Sequence, residues 1–247
     1  MNKRKLKWRY AIKIKTVIVQ PEEVARALTP VTAPLKLRRC AEGVDTRGVV
    51  RAYLYCTEHS NRFFDQDKDG NWNEQKPNPI MYKPGNRSGG GDNYIKMRQN
   101  GDLLCHLLVA HAWVESRYNH IVEKPDEQTG EITLVCTKQV DHLDGNPLNN
   151  DANNLEYVTA AENRRRARIA KRLRKAGIDP RLLTSKLLRR IFDLPEHRIL
   201  RFFDLFAYLC ANDTSELSVQ AIRRNVAKAL NQIRKEQKQL DKIFRNH

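Results

Sequence analysis

In the run Val140-Asp141-His142-Leu143-Asp144-Gly145-Asn146 a histidine follows directly on a carboxylate, and Asn149-Asn150, Asn154-Leu155 and Glu162-Asn163 come soon after. These side-chain types can hold a cation beside a base. His142 has the side-chain type that titrates closest to neutrality, so it can take a proton from water at ordinary pH. Asp141 is a hard oxygen donor of the kind that suits magnesium, and Asn163 can add a neutral amide oxygen. Around them the chain is strongly basic, with 45 Lys and Arg against 29 Asp and Glu and a formal net charge of +16. A base, a cation and a positive field are what cleavage of a phosphodiester requires, and such a field favours a polyanionic partner.

These residues need elements that hold them together. Thr159 and Glu162 have capping-box spacing, which places Asn163 about one turn into a new helix. Asp144-Gly145, Asn146-Pro147 and Asn149-Asn150 are strong turn formers, and both residues of the last pair read as turn chemistry rather than as ligands. The segment is thus expected to run strand, turn, strand, helix, with Asp141-His142 at the end of one strand and Asn163 on the helix facing it. Neighbours in a regular strand point to opposite faces, so the strand should be irregular or twisted near Asp141. A strand Ile132–Cys136 is expected to run on toward the pair. Upstream, Asn93–Arg98 alternates as a strand, Asn100-Gly101 supplies a turn, and Leu103-Leu104 begins the return. A helix with an apolar face at Leu107, Leu108, Ala110, His111, Trp113 and Val114 should pack on that hairpin. Downstream, Asn163–Lys175 reads as an arginine-rich helix stopped near Gly177 and Pro180.

Residues from about Tyr94 to Arg168 resemble the HNH endonuclease family, in its branch of phage- and intron-encoded homing endonucleases. The likeness rests on His106-Leu-Leu-Val-Ala110, Asp141-His142, Asp144-Gly145, Asn149-Asn150, Asn154-Leu-Glu156, Val158-Thr159 and Glu162-Asn163. It implies a central ββα-metal module in which His142 is the general base and Asn154 fixes the turn that orients it. It further implies that Asp141 and Asn163 ligate one divalent ion, Mg²⁺ or Mn²⁺. The implied activity is endonuclease cleavage of double-stranded DNA, leaving 5′-phosphate and 3′-hydroxyl ends. The family usually has arginine after its first histidine and an acidic residue near position 111, where this chain has Leu107 and His111. His106 and His111 are therefore read first as packing or hydrogen-bonding residues, with His106 kept as a candidate substrate contact. The cations Arg164, Arg165, Arg166, Arg168 and Lys171 surround their helix, and phosphates most easily offset their mutual repulsion.

The fold expected is α+β in three parts. Residues 1–78 form an N-terminal α/β region that could contact DNA, 79–177 the nuclease domain, and 178–247 a C-terminal helical domain or oligomerisation arm. In the first part, Ala11–Val19 and Val49–Cys56 read as strands, and Gln20-Pro-Glu-Glu-Val24 reads as a helix start. Residues 65–92 read as loop-rich. In the last part, Ile222, Val226, Ala229, Ile233 and Leu240 fall at helical spacing, a candidate homodimer seam. Asp65-Gln-Asp67-Lys-Asp69-Gly70 begins like a calcium loop but has Lys76 where a bidentate acid belongs, so a plain Asp-Gly turn is favoured.

Composition narrows the alternatives. Hydrophobic residues are 40% and charged residues 30% of the chain, polar but not apolar-depleted like a disordered protein. The five cysteines are scattered and never spaced Cys-x-x-Cys, which fits a reducing compartment and argues against structural zinc. No apolar run is long enough to span a membrane and no signal-peptide pattern is present, so a cytoplasmic protein is expected, by the resemblance in a phage-infected host. Two rivals keep the basic charge without the chemistry: a DNA-binding regulatory or architectural protein using the module as scaffold, and an RNA-binding or RNA-processing factor.

Overall fold

The computed structural model describes residues 6–59, 61–80, 94–97, 103–114, 121–125, 132–136, 138–213 and 218–245. The chain is α+β and divides into two compact units, one of residues 1–142 with 146–159 and one of residues 143–145 with 160–247.

The first unit is built on β1 (Lys7–Tyr10), β2 (Thr16–Val19), β3 (Val24–Arg26), β4 (Leu35–Val44), β5 (Val50–Thr57), β6 (Phe63–Gln66) and β7 (Trp72–Gln75). They form one sheet in the order β1-β4-β5-β6-β7-β3, and the long β4 also pairs with β2. Alternation along the strands gives the sheet two apolar faces. Tyr55 and Phe64 join Val19, Leu37 and Trp72 in one core cluster, while their neighbours Leu54, Cys56 and Phe63 join Trp8, Cys40 and Ala41 in another.

That second face is covered by α1 (Cys105–Trp113), which buries Cys105, Leu108, Val109, Ala110 and Ala112 in the same cluster. Arg38 locks the end of the helix, donating to Ala112 O at 3.0 Å and stacking on Trp113. Three cysteines far apart in sequence, Cys40, Cys56 and Cys105, meet in this core. Burial, and then a hydrogen bond with Cys56, holds the Cys40 thiol well above its ordinary range.

Several sequence expectations change here. Among the described residues 6–80 there is no α-helix, so the expected N-terminal α/β region is all strand and turn. Pro21–Glu23 closes a single 3-10 turn with a capping box, and Val24 then pairs with β7 instead of continuing a helix. The loop-rich stretch contains the β6–β7 hairpin and β8 (Asn78–Ile80). The strand β4 has no clear period in the sequence because a bulge between Arg39 and Ala41 breaks its alternation.

Beyond the large sheet, β8 pairs with β9 (Tyr94–Met97), which pairs with β10 (Leu103–Leu104). The Asn100-Gly101 turn lies outside the described residues. β11 (Ile121–Pro125) and β12 (Ile132–Cys136) form one hairpin, β13 (Gln139–His142) and β14 (Leu155–Val158) another. The expected strand into Asp141-His142 is therefore two strands in separate sheets.

The second unit is helical: α2 (Ala160–Lys175), α3 (Ser185–Phe192), α4 (Glu196–Ala211) and α5 (Val219–Arg245). Ile169 and Leu173 of α2 pack with Leu188, Ile191, Ile199, Phe202, Val226, Ala229 and Ile233. The end of α2 is a Schellman turn: Gly177 takes φ +77°, and Ile178 N–H returns to Leu173 O at 2.9 Å while its side chain is buried. Among the described residues no helix is long and apolar enough to cross a membrane.

Candidate active site

His142 is the last residue of β13, and β14 pairs with it in register: Asp141 lies opposite Glu156 and His142 opposite Leu155. The ladder has no bulge, which leaves twist of the two-stranded hairpin, the other form expected near Asp141, as the means of bringing both side chains to one side. Directly opposed residues project from the same face, so the carboxylates of Asp141 and Glu156 share one face of the hairpin. Both are half-buried, and like charges so placed favour a cation between or beside them.

The loop between the strands returns to the histidine. Asn150, 1% exposed, brings Oδ1 to 3.0 Å from His142 Nε2. An amide oxygen only accepts, so this contact keeps the imidazole proton on Nε2 and makes Nδ1 the acceptor nitrogen. The other end of the same amide, Nδ2, has no hydrogen-bond partner among the described residues. An unmet buried N–H costs roughly 1–3 kcal/mol, so the amide is oriented by the imidazole and not by its own donors. Asn154, 4% exposed, donates from Nδ2 to Asn149 O at 2.9 Å and so pins the residue next to Asn150. Asn150, expected as a turn former rather than a ligand, also contacts His142; its distance of eight residues from His142 carries no local signal of the contact.

The large sheet braces that loop from outside. In the turn between β5 and β6, Glu58 O accepts from Ala152 N at 3.0 Å and His59 Nδ1 lies 2.9 Å from Asp151 Oδ2. Asn61, at φ +53°, donates from Nδ2 to Leu148 O at 3.4 Å; asparagine is among the few residues that tolerate this backbone region. Asp151 uses its second oxygen to cap the 3-10 turn Ala152–Asn154. Residues nearly a hundred positions upstream thus fix the segment that fixes His142, a linkage with no signature in local sequence.

His106, on α1, lies beside the base, with ring centroids 5.1 Å apart. It is 6% exposed, and burial, then the charge of His142, lowers its pKa to about 3. It is therefore a neutral packing neighbour of His142 at ordinary pH, with little surface to offer a substrate. His111 donates from Nε2 to Ala11 O at 2.8 Å and tilts against Tyr10, tying α1 to the end of β1. Burial lowers its pKa, and the Ala11 bond opposes that in part.

On α2 the expected phosphate contacts divide. Arg165 donates to Phe192 O at 2.6 Å and to Leu194 O, satisfying carbonyls at the end of α3. Arg166 is buried, bonds Glu162 at 3.0 Å and stacks over Phe192 at 5.2 Å. Both are internal fastenings of the helical unit, a correction to their reading as nucleic-acid contacts. Arg164, Arg168, Lys171 and Lys175 are all exposed, and their 4-3-4 spacing places them on one stripe. Asn163 sits in the first turn of α2 and is half-buried.

The second candidate metal site resolves as a hairpin turn. Asp67 accepts from the backbone N–H groups of Asp69 and Asn71, both at 2.9 Å, and Gly70 takes φ +89°. Asp65 is buried in β6. The carboxylate of Asp67, central to any calcium loop here, is spent on its own backbone.

A histidine with an acceptor nitrogen, next in the chain to a carboxylate, has side chains that a hydrolytic centre can use. Residues 130–165, which carry Asp141, His142, Asn150, Asn154 and Asn163, match the family model described as HNH endonuclease. No curated protein and no solved structure matches the chain.

Proposed function

We propose that this chain is a divalent-metal-dependent endonuclease that hydrolyses phosphodiester bonds in double-stranded DNA, with His142 as general base. The observation that carries the reading is the 3.0 Å contact of His142 Nε2 with buried Asn150 Oδ1, inside the segment that matches the HNH endonuclease model. With its proton held on Nε2, His142 takes the proton of an attacking water on Nδ1 as the water oxygen bonds to phosphorus. The bond from phosphorus to the 3′ oxygen breaks and that oxygen takes a proton from solvent, leaving a 5′-phosphate and a 3′-hydroxyl.

Asp141 and Asn163 would hold the cation, Mg²⁺ or Mn²⁺. Both offer hard oxygens of the kind such ions take, and Glu156 opposite Asp141 adds negative potential on the same face. The bound ion would stabilise charge on the phosphoryl and departing oxygens. Asn154 acts through the loop as a positioning residue. The stripe Arg164, Arg168, Lys171 and Lys175 is the surface for the phosphate backbone. One such centre cuts one strand, so double-strand cleavage requires a dimer or a second event; Ile222, Val226, Ala229 and Ile233, expected at a seam between C-terminal helices, are instead buried in the core of their own unit. A homing-type role in a phage-infected cell is the corresponding biological setting.

Supercoiled plasmid incubated with the full chain tests the reading. Nicks should form in Mg²⁺, be sealable by DNA ligase, which needs 5′-phosphate and 3′-hydroxyl ends, and cease in EDTA. Plasmid that stays intact with every divalent ion overturns it.

A further inference from the structure

The helical unit carries an open groove of about 450 Å³ between α4 and α5, lined by Leu205, Tyr208 and Leu209 on one side and Lys228, Asn231, Gln232 and Lys235 on the other. Its composition is unlike a core defect. Tyr208 is 66% exposed although it is a large aromatic, and Leu205 and Leu209 beside it pack against the core of the unit as an apolar floor. Lys228 and Lys235 stand at the two ends without an acidic partner among the described residues. Glu236, the acid close by, already pairs with Arg201 at 3.0 Å and accepts from Gln232. Asn231 accepts from Arg190 at 2.9 Å, which brings another cation to the rim.

We infer that this groove binds an unpaired nucleotide of a nucleic-acid strand, with the base stacked on Tyr208 and the flanking phosphates on Lys228 and Lys235. An aromatic face with cations along a backbone path is the general equipment for single strands, because every base has a π-face and every nucleotide a phosphate. The two lysines are seven residues apart on one helix, about 10 Å along its axis, a span that brackets one stacked base. The carboxamide of Gln232 and that of Asn231 lie between them, where a base edge would present donors and acceptors. A duplex offers no such face unless a base leaves the stack. Charge selects the occupant: the groove's cations lack acids, and the whole chain carries +16. The inference rests on the proposal that the chain works on nucleic acid, and it adds a strand-holding site built from other residues than those proposed for cleavage.

Binding alone is read in the test, so its failure leaves the cleavage proposal standing. Fluorescence anisotropy of the full chain is measured with a short labelled oligothymidylate and with a labelled duplex. Tyr208→Ala should weaken oligothymidylate binding roughly tenfold, Tyr208→Trp should restore it, and duplex binding should be unchanged by either. Lys228→Gln with Lys235→Gln should lower the salt dependence for the oligonucleotide only. A photoreactive iodouracil in the strand should crosslink to the peptide containing Tyr208. Unchanged oligonucleotide affinity in all variants, an equal loss for duplex and oligonucleotide, or a crosslink confined to other peptides each overturns the inference and assigns the groove to another occupant, such as a helix of a partner protein.

Discussion

At the scale of single residues, the site is a histidine whose proton position is dictated by its neighbours. Asn150→Ala removes the acceptor that keeps the proton on Nε2; nicking rates should fall about 10²-fold while DNA affinity stays unchanged, and Asn150→Asp, which still accepts, should recover part of the loss. Equal rates for Asn150→Ala and the parent chain would show that the tautomer is set elsewhere. His106 supplies a second test. Its pKa is lowered to about 3, so between roughly pH 6.5 and 3 the unfolded chain binds its proton and the folded chain does not. The stability from this group is therefore complete above about pH 6.5 and is lost as pH falls through that window, on the order of 5 kcal/mol. Denaturant midpoints of His106→Leu should accordingly fall less on acidification than those of the parent chain; parallel curves would contradict the burial account. Side-chain types near His142 are legible in the sequence, since carboxamides, a carboxylate and a histidine cluster within one segment. Which carboxamide meets the imidazole is not, because Asn149, Asn150 and Asn154 share the same turn chemistry and differ only in where the loop folds back.

At the scale of elements, the helices and the alternating strands at Val49–Cys56 and Ile132–Cys136 are legible in the sequence, and the single turn at Pro21–Glu23 and the bulged β4 are not. The arginine-rich helix and its stop at Gly177 are set by local chemistry, a left-handed residue followed by a buried Ile178. Gly177→Ala should cost the helical unit about 1 kcal/mol, measured by thermal unfolding; no loss would mean the turn relaxes. β4, by contrast, is defined by pairing with β1, β2 and β5 and carries a bulge, so its period is obscured. The same distinction separates the arginines of α2, whose identical type conceals two uses. Replacing Arg164, Arg168 and Lys171 with Ala should reduce the slope of log affinity against log salt by roughly 0.9 for each phosphate no longer neutralised. Arg165→Ala should leave that slope alone and lower stability by about 2 kcal/mol, since it strips donors from the end of α3. The reverse pattern would contradict this division of the arginines.

At the scale of the whole molecule, a β-rich unit holds the hairpin of His142 and a helical unit carries the cationic stripe and the open groove. The α+β character is readable from alternating and helical periods. The bracing of the His142 loop by the turn at Glu58–Asn61 is not, since it joins segments nearly a hundred residues apart. All of the proposed chemistry passes through His142. The most direct measurement compares plasmid nicking in Mg²⁺ by the parent chain and by His142→Ala at equal fractional DNA binding. A loss of roughly 10²-fold to 10⁴-fold, the usual contribution of a general base, is predicted with DNA affinity intact; an undiminished rate would contradict the role of His142 as base.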